Sequence, residues 1–223
     1  MTTSRVSRLP RDQRRSQLLD AAAEVFTSVG YHAAAMDDIA EAAGVSKPVL
    51  YQHFSSKLEL YLALLDQSCA RLLGIVKGAL ESTHDNRDRV EATMGAFYEF
   101  VSEQRADFRF VFESDLTAVD EVRDRLAAVN ETLADAVTAI IAEDTDLAPD
   151  RARLLAVSLV GVAQVSARYW ISSPYGEDDV DRAEAAELVS RLVWRGIRGF
   201  PRIDQPGSDE SGADSPGAEA SPA

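Results

Sequence analysis

The residue types able to do specific chemistry are concentrated in one short segment, Ile39-Ala-Glu-Ala-Ala-Gly-Val-Ser-Lys-Pro-Val-Leu-Tyr-Gln-His-Phe54. What they offer is recognition, not catalysis. Gln52 suits a bidentate pair with adenine, Lys47 a guanine or a phosphate, and Val49 a thymine methyl. Ser46 and Pro48 stand at the start of the same stretch. Tyr51, His53 and Lys57 are of types that hold phosphate oxygens. Arg5, Arg8, Arg11 and Arg14 lie upstream, where a basic arm follows the backbone or enters a minor groove. Catalytic constellations are missing. His32, His53 and His84 have no metal-ligand spacing with the single Cys69. There is no G-x-S-x-G, P-loop or dinucleotide glycine pattern. The expectation is no enzyme, no metal and no cofactor.

The recognition residues need helices to hold them. Leu18, Ala22, Val25, Phe26 and Val29 form one apolar stripe, which predicts a first helix from Asp12 to Val29 ended by Gly30 as a left-handed cap. A short second helix begins near Asp37, with Asp37 and Asp38 at its positive end, and buries Ile39, Ala42 and Ala43. Gly44 supplies a positive φ, Ala40 and Ala43 allow close approach, and Val45 plugs the corner. Ser46 caps a third helix, and Pro48 falls in its first turn, where a missing N–H costs little. This is a helix-turn-helix presenting Lys47, Val49, Gln52 and His53 outward. Ser56 and Glu59 form a capping box for a long fourth helix that buries Leu58, Leu62, Leu65, Cys69, Leu72, Leu73 and Val76.

Beyond it, apolar residues keep helical spacing and no strand signal appears, so the fold class is all-α with about nine helices. The later ones are expected near 86–104, 106–115, 119–143, 150–172 and 179–199. Residues 143–149 and 172–176 are the clearest breaks. The domains read as a flexible basic arm over 1–11, a DNA-binding head over 12–72, a ligand-binding and dimerisation body over 73–200, and a disordered acidic tail over 201–223. No run of about 18 apolar residues stands out as a membrane span, and no secretory signal opens the chain. With one cysteine, a cytoplasmic protein is expected.

The net charge of −14 argues at first against nucleic acid. Its distribution answers the objection. Residues 1–60 hold seven basic and seven acidic groups, so the rest of the chain carries the whole −14. A basic arm on a neutral head, followed by an acidic body, suits a protein that meets DNA at one end.

Val25-Phe26, Gly30-Tyr31, Asp38-Ile39-Ala40, Ala43-Gly44-Val45-Ser46, Leu50-Tyr51, His53-Phe54 and Lys57 together resemble the TetR-family head across about residues 12–65. The family usually places Ser or Thr near position 35, capping the second helix and touching phosphate. Here Ala35 and Met36 occupy that site, and Asp37 is the substitute cap. A narrower resemblance, to TetR-type regulators of bacterial fatty-acid synthesis, runs through Leu9-Pro10-Arg11-Asp12, Gly30 to Ala34 and Val45 to Leu62. It continues into the body at Asp85-Asn-Arg87, Val111-Phe-Glu113, Arg151-Ala-Arg153 and Ala167-Arg-Tyr-Trp170. It implies a gene activator with long-chain acyl-CoA as effector.

In the body, Met94, Phe97, Tyr98, Val101, Phe108 and Phe112, with Phe100 and Phe110 nearby, read either as the wall of a pocket for a small hydrophobic effector or as plain core. Gln164 is the polar candidate on an apolar helix, or a satisfied amide. Arg105, Arg109, Arg123 and Arg168 are the cations available to an anionic headgroup, or surface ion-pair partners. Residues 151–172 and 183–199 read as dimer helices through Leu155, Leu159, Val162, Val189, Leu192, Val193 and Ile197, with Gly161, Ala163 and Gly196 allowing close packing. A homodimer would set two recognition helices ~34–36 Å apart on a palindromic operator. Three rivals stay open: a repressor of an efflux or catabolic operon with a drug-like or aromatic ligand, a ligand-free structural nucleoid protein, and a ligand carrier or enzyme without DNA function.

Overall fold

The computed structural model describes residues 10–172 and 180–197. Among them are nine helices and no strand: α1 (Arg11–Ala33), α2 (Met36–Ala42), α3 (Lys47–His53), α4 (Lys57–Glu81), α5 (Asn86–Glu103), α6 (Arg105–Phe112), α7 (Asp120–Asp144), α8 (Pro149–Ser172) and α9 (Arg182–Ile197). Arg5, Arg8, most of the arm, the tail and most of the 172–176 loop lie outside the described residues.

Helices α1 to α3 make the head. The turn between α2 and α3 is a Schellman motif: Val45 N–H reaches Ala40 O at 3.0 Å and Gly44 N–H reaches Glu41 O at 2.9 Å, with Gly44 at φ 64°. Gly30 differs from expectation. Its φ of 79° comes with ψ of 162°, a glycine-only conformation that kinks α1 and lets it run on to Ala33 instead of capping it. Just before that kink the stripe's last member, Val29, turns out to solvent, and Ala42 is exposed on the outer side of α2. Met36 does the reverse. It is 8% exposed and packs in the head core, so it is withdrawn from the DNA-facing set.

Two caps depart from the predicted pattern. Asp38, not Asp37, accepts the Ala35 N–H at 3.1 Å; alanine has no side-chain oxygen to return the bond, so α2 carries half a capping box. Ser46 sits at the N-cap of α3, but only its backbone oxygen works there. At α4, Ser56 Oγ accepts Glu59 N–H at 3.0 Å, while the Glu59 carboxylate turns to the N–H and hydroxyl of Ser55.

The body packs around α4 and α5. α4 lies against α5, α6 and α7; α9 covers α5; α7 pairs with α8. α4 buries Leu60, Tyr61, Leu64, Leu65, Ser68, Cys69, Leu72 and Val76, whereas Leu58, Leu62 and Leu73 are only half-buried. Burial lifts the Cys69 thiol to about 11, so it stays protonated.

α8 bears on the membrane expectation without overturning it, since Arg, Ser and Gln interrupt its apolar residues. It is long and apolar enough, by length and composition, to cross a membrane, and only 22% of its most apolar window is buried in this chain. Its partners show why. Arg153 pairs with Glu131 and Asp135 on α7, and Ala152, Ala156, Ala163, Ala167 and Trp170 face inward. The opposite stripe, Leu154, Val157, Val165 and Tyr169, is bare, as are Leu188 and Leu192 on α9. The expected dimer face is therefore rotated. Val193 and Ala163 are buried within the chain, and Leu155 and Leu159 pack on Ile141, Ala152 and Ala156. Val189 packs against the core, Val162 is half-buried, and Leu192, with Gly161 and Gly196, whose added Cβ would meet nothing within 4 Å, stays exposed or open. The side chain of Ile197 lies outside the described residues.

Head and body are joined at Lys57, the first residue of α4. Its ammonium donates to Tyr31 O and Ala34 O, each at 2.7 Å, and lies 4.5 Å from the Tyr31 ring centre. Lys57→Met should lower unfolding stability by about 1.5–3 kcal/mol, the worth of hydrogen bonds from a charged donor. Denaturant unfolding checks this; an unchanged midpoint would mean that the ammonium does not hold α1.

Candidate nucleic-acid interface and effector cavity

Ile39, Leu50 and Phe54, each fully buried, are the anchors that turn the other side of α3 to solvent. On that side Ser46, Lys47, Pro48 and Gln52 are exposed, Val49 and His53 half-buried, and Tyr51 is 42% exposed. Tyr51 thus has more of its ring in solvent than a packed core residue. Ala35 is exposed at the neighbouring start of α2. Lys57, in contrast, spends its donors on α1 carbonyls and is not a free cation.

Lys47 is paired with Asp37 at 2.7 Å, and that hydrogen bond and charge raise its pKa. His53 is shifted the other way, by partial burial and then by Arg11, Arg15 and Arg14, so its imidazole is neutral near pH 7. Sequence reasoning passed over Arg15 and Gln17. The Arg15 guanidinium stacks 4.3 Å from the Phe54 ring centre and approaches His53 O at the end of α3. Gln17 donates to Ala43 O at 2.8 Å and accepts from Arg14 at 2.7 Å, which pins α1 to the turn. The signal was present: a basic and an amide residue one turn from the Leu18 stripe.

A cavity of about 100 Å³ lies between α4, α5, α7, α8 and α9. Its accessible wall is apolar, from Val76, Met94, Phe97, Leu133, Val137 and Val160 among others. Met94, Phe97 and Gln164 line it as expected; Gln164 also donates to Asn130 Oδ1 at 2.8 Å. Tyr98, Val101, Phe108 and Phe112 do not line it. They point to the other sides of α5 and α6, where Tyr98 donates to Ser166 Oγ at 2.9 Å and Phe108 and Phe112 pack together at 5.1 Å. Arg168 instead donates to Phe112 O, Arg109 to Thr27 O, and Arg123 pairs with Asp120; neither these nor Arg105 reaches the cavity. The cation at its rim is Arg89, beside Asn86 and Asp144. Arg89 donates to Thr83 O and Asn86 Oδ1, both at 2.9 Å, and meets Glu143 at 3.7 Å. Sequence reading missed it, together with the α7 wall, because apolar residues on an outer helix look like ordinary packing.

Fold and surface together define a regulator with a helix-turn-helix head on a helical body enclosing an apolar cavity. The model "Bacterial regulatory proteins, tetR family" matches residues 18–64, and "Tetracyclin repressor-like, C-terminal domain" matches 86–196. The chain is 46% identical over 197 residues to the HTH-type transcriptional activator FasR of Mycolicibacterium smegmatis, covering 88% of this chain and 89% of that one. It is 36% identical over 88 residues to the transcriptional repressor KstR2 of Rhodococcus jostii, 40% of this chain and 43% of that one. Among solved structures, a TetR-like regulator from Rhodococcus superposes with TM-score 0.66 at 27% identity, covering 86% of this chain and all of the other. FadR of Bacillus subtilis in complex with stearoyl-CoA gives 0.68 at 16% identity, over 80% and 96%, a likeness of fold. The chain belongs to the TetR family of bacterial transcription regulators. Its work is DNA binding and transcription control, not catalysis.

The Lys47–Asp37 pair places a carboxylate beside the α3 cation. Asp37→Asn should tighten operator binding a few-fold, mainly through the association rate, with the gain shrinking as salt rises. Binding kinetics at two salt concentrations check it; weaker binding would mean that Asp37 orients Lys47 productively.

Proposed function

We propose that the chain activates lipid-synthesis genes, with long-chain acyl-CoA as its effector and a palindromic operator read by a homodimer. The observation that carries the effector is the apolar cavity with Arg89 and Asn86 on its lining. It gives an acyl chain a dry site and puts polar groups where a headgroup leaves it. The FasR relative, a transcriptional activator, supports the sign of control. FadR supports the fold's capacity to hold such a ligand. A cavity already present also weighs against the ligand-free nucleoid reading.

In this reading residues 12–72 are the DNA-binding head and 73–200 the effector and dimer body. Lys47, Val49 and Gln52 meet base edges. Ala35, Ser46, Pro48, Tyr51, His53, Arg11 and Arg14 lie along the backbone, with Arg5 and Arg8 beyond. The cavity is smaller than the ~300–1,000 Å³ of occupied ligand sites, so a long chain must spread α4, α5, α7 and α8. α4 also begins under the head at Lys57, so that spreading shifts the head. Effector and operator affinities are then coupled to the extent that the ligand prefers one head separation.

Ligand at about 100 times its Kd stabilises the native state by ~2.7 kcal/mol, or roughly 5–10 °C in midpoint for a chain of this size. A shift of that size with long-chain acyl-CoAs, and not with short-chain acyl-CoAs or aromatic drugs, is expected in a thermal panel. The same compounds should change operator affinity. A shift with aromatic drugs alone would replace this reading with the efflux-type one.

The bare stripe of Leu154, Val157, Val165 and Tyr169 on α8, with Leu188 and Leu192 on α9, supports a four-helix interface between two copies. Leu192→Glu should yield a monomer by light scattering and abolish tight operator binding, with little loss of helix content. A dimer that persists would move the interface elsewhere.

A further inference from the structure

The cavity wall holds one anomaly. Thr93 on α5 is 8% exposed, and its hydroxyl is buried with no hydrogen-bond partner. Helical threonines ordinarily return that bond to the carbonyl four residues back. Thr27, Thr132, Thr138 and Thr145 of this chain all do so, at 2.6–2.8 Å. Thr93 does not, although it has the same helical carbonyl behind it. Thr93 is one of the residues lining the cavity, whose accessible surface is apolar throughout; its hydroxyl has no accessible surface of its own there. A buried polar atom left unmatched is unfavourable unless something supplies the partner.

Its position says what that partner is. The cavity side of α5 carries Asn86, Arg89, Val90, Thr93, Met94 and Phe97, one helical face in order. Polarity falls along it. An amide and a guanidinium stand at the partly exposed rim, a hydroxyl comes one turn further in, and Met94 and Phe97 are buried beyond. Arg89 to Thr93 and Thr93 to Phe97 are each about 6 Å along the axis. The face matches an amphiphile with a polar end at the rim, one hydrogen-bond acceptor a turn inside, and an apolar remainder. We infer that Thr93 is a specificity-determining residue whose hydroxyl donates to the carbonyl oxygen of the effector's acyl thioester. The thioether or hydrocarbon analogue, lacking that oxygen, leaves the hydroxyl unmatched. The inference rests on the acyl-CoA reading and adds to it the point at which the thioester is recognised.

The test uses the full-length protein, palmitoyl-CoA, and S-hexadecyl-CoA, a thioether without the carbonyl oxygen. Calorimetric affinities are measured for wild type, Thr93→Val, which keeps the shape and removes the hydroxyl, and Thr93→Ser, which keeps the hydroxyl. Wild type should prefer palmitoyl-CoA by about tenfold, the worth of one buried hydrogen bond. Thr93→Val should lose that preference, bind hexadecyl-CoA as wild type does, and melt no lower than wild type without ligand. Thr93→Ser should keep the preference. Wild-type affinity of Thr93→Val for palmitoyl-CoA overturns the inference and leaves the acyl-CoA reading standing. An equal loss for both probes also overturns it, by showing that Thr93 only packs. A wild-type protein that binds neither probe removes the acyl-CoA reading and the inference together.

Discussion

A single continuous helix ties the two ends of this protein together. α4 runs from Lys57 to Glu81, about 37 Å at the α-helical rise. Its first residue holds the carbonyls that end α1, and Val76 and Leu80, near its last turn, line the cavity. A rigid rod fixed at both ends cannot move at one without moving at the other. The head therefore has no orientation independent of the cavity, and the remaining helices either fill against α4 or brace it.

The brace is mostly aromatic. Phe26 and Tyr31 of α1, Tyr61 of α4 and Phe110 of α6 form a connected set with ring centres 5.3–5.7 Å apart. Tyr61 adds a 2.9 Å bond to Ser114, and Arg109 reaches across to Thr27 O. Asp107 of α6 accepts from Ser68 and pairs with Arg71, both on α4. Burial raises the Tyr61 pKa, so its hydroxyl keeps its proton at neutral pH. The joint is a packed contact, of the kind that has discrete arrangements and does not deform continuously. In the proposed reading, such a joint turns a small spreading of α4 and α5 into a change of head position.

The head was the most legible part. Gly44, Val45, Leu50 and Phe54 each have one physical job in a helix-turn-helix, and the chain does each of them as their types demand. The errors in the head were local: Met36 inward, Lys57 used internally, Asp38 and not Asp37 at the cap. Each depends on which rotamer finds a partner across the fold, and spacing does not carry that. The cavity was less legible. Met94, Phe97 and Gln164 line the cavity because they lie on the inner face of α5 or α8. Tyr98, Val101, Phe108 and Phe112 are as apolar as cavity residues but fill the core, because α5 and α6 are each covered by several other helices.

By itself, the sequence determined the class of helices, the exposed face of α3, and the split between a neutral N-terminal part and an acidic remainder. These follow from periodicity, one glycine turn and a count of charges, all local along the chain. Only the tertiary structure decided which apolar stripes of α8 and α9 stay bare, that Arg89 and not a distant arginine guards the cavity, and that Thr93 lacks a partner. Those are properties of neighbours far apart in sequence. A helix face is buried, exposed or left facing a void only once the other helices have taken their places.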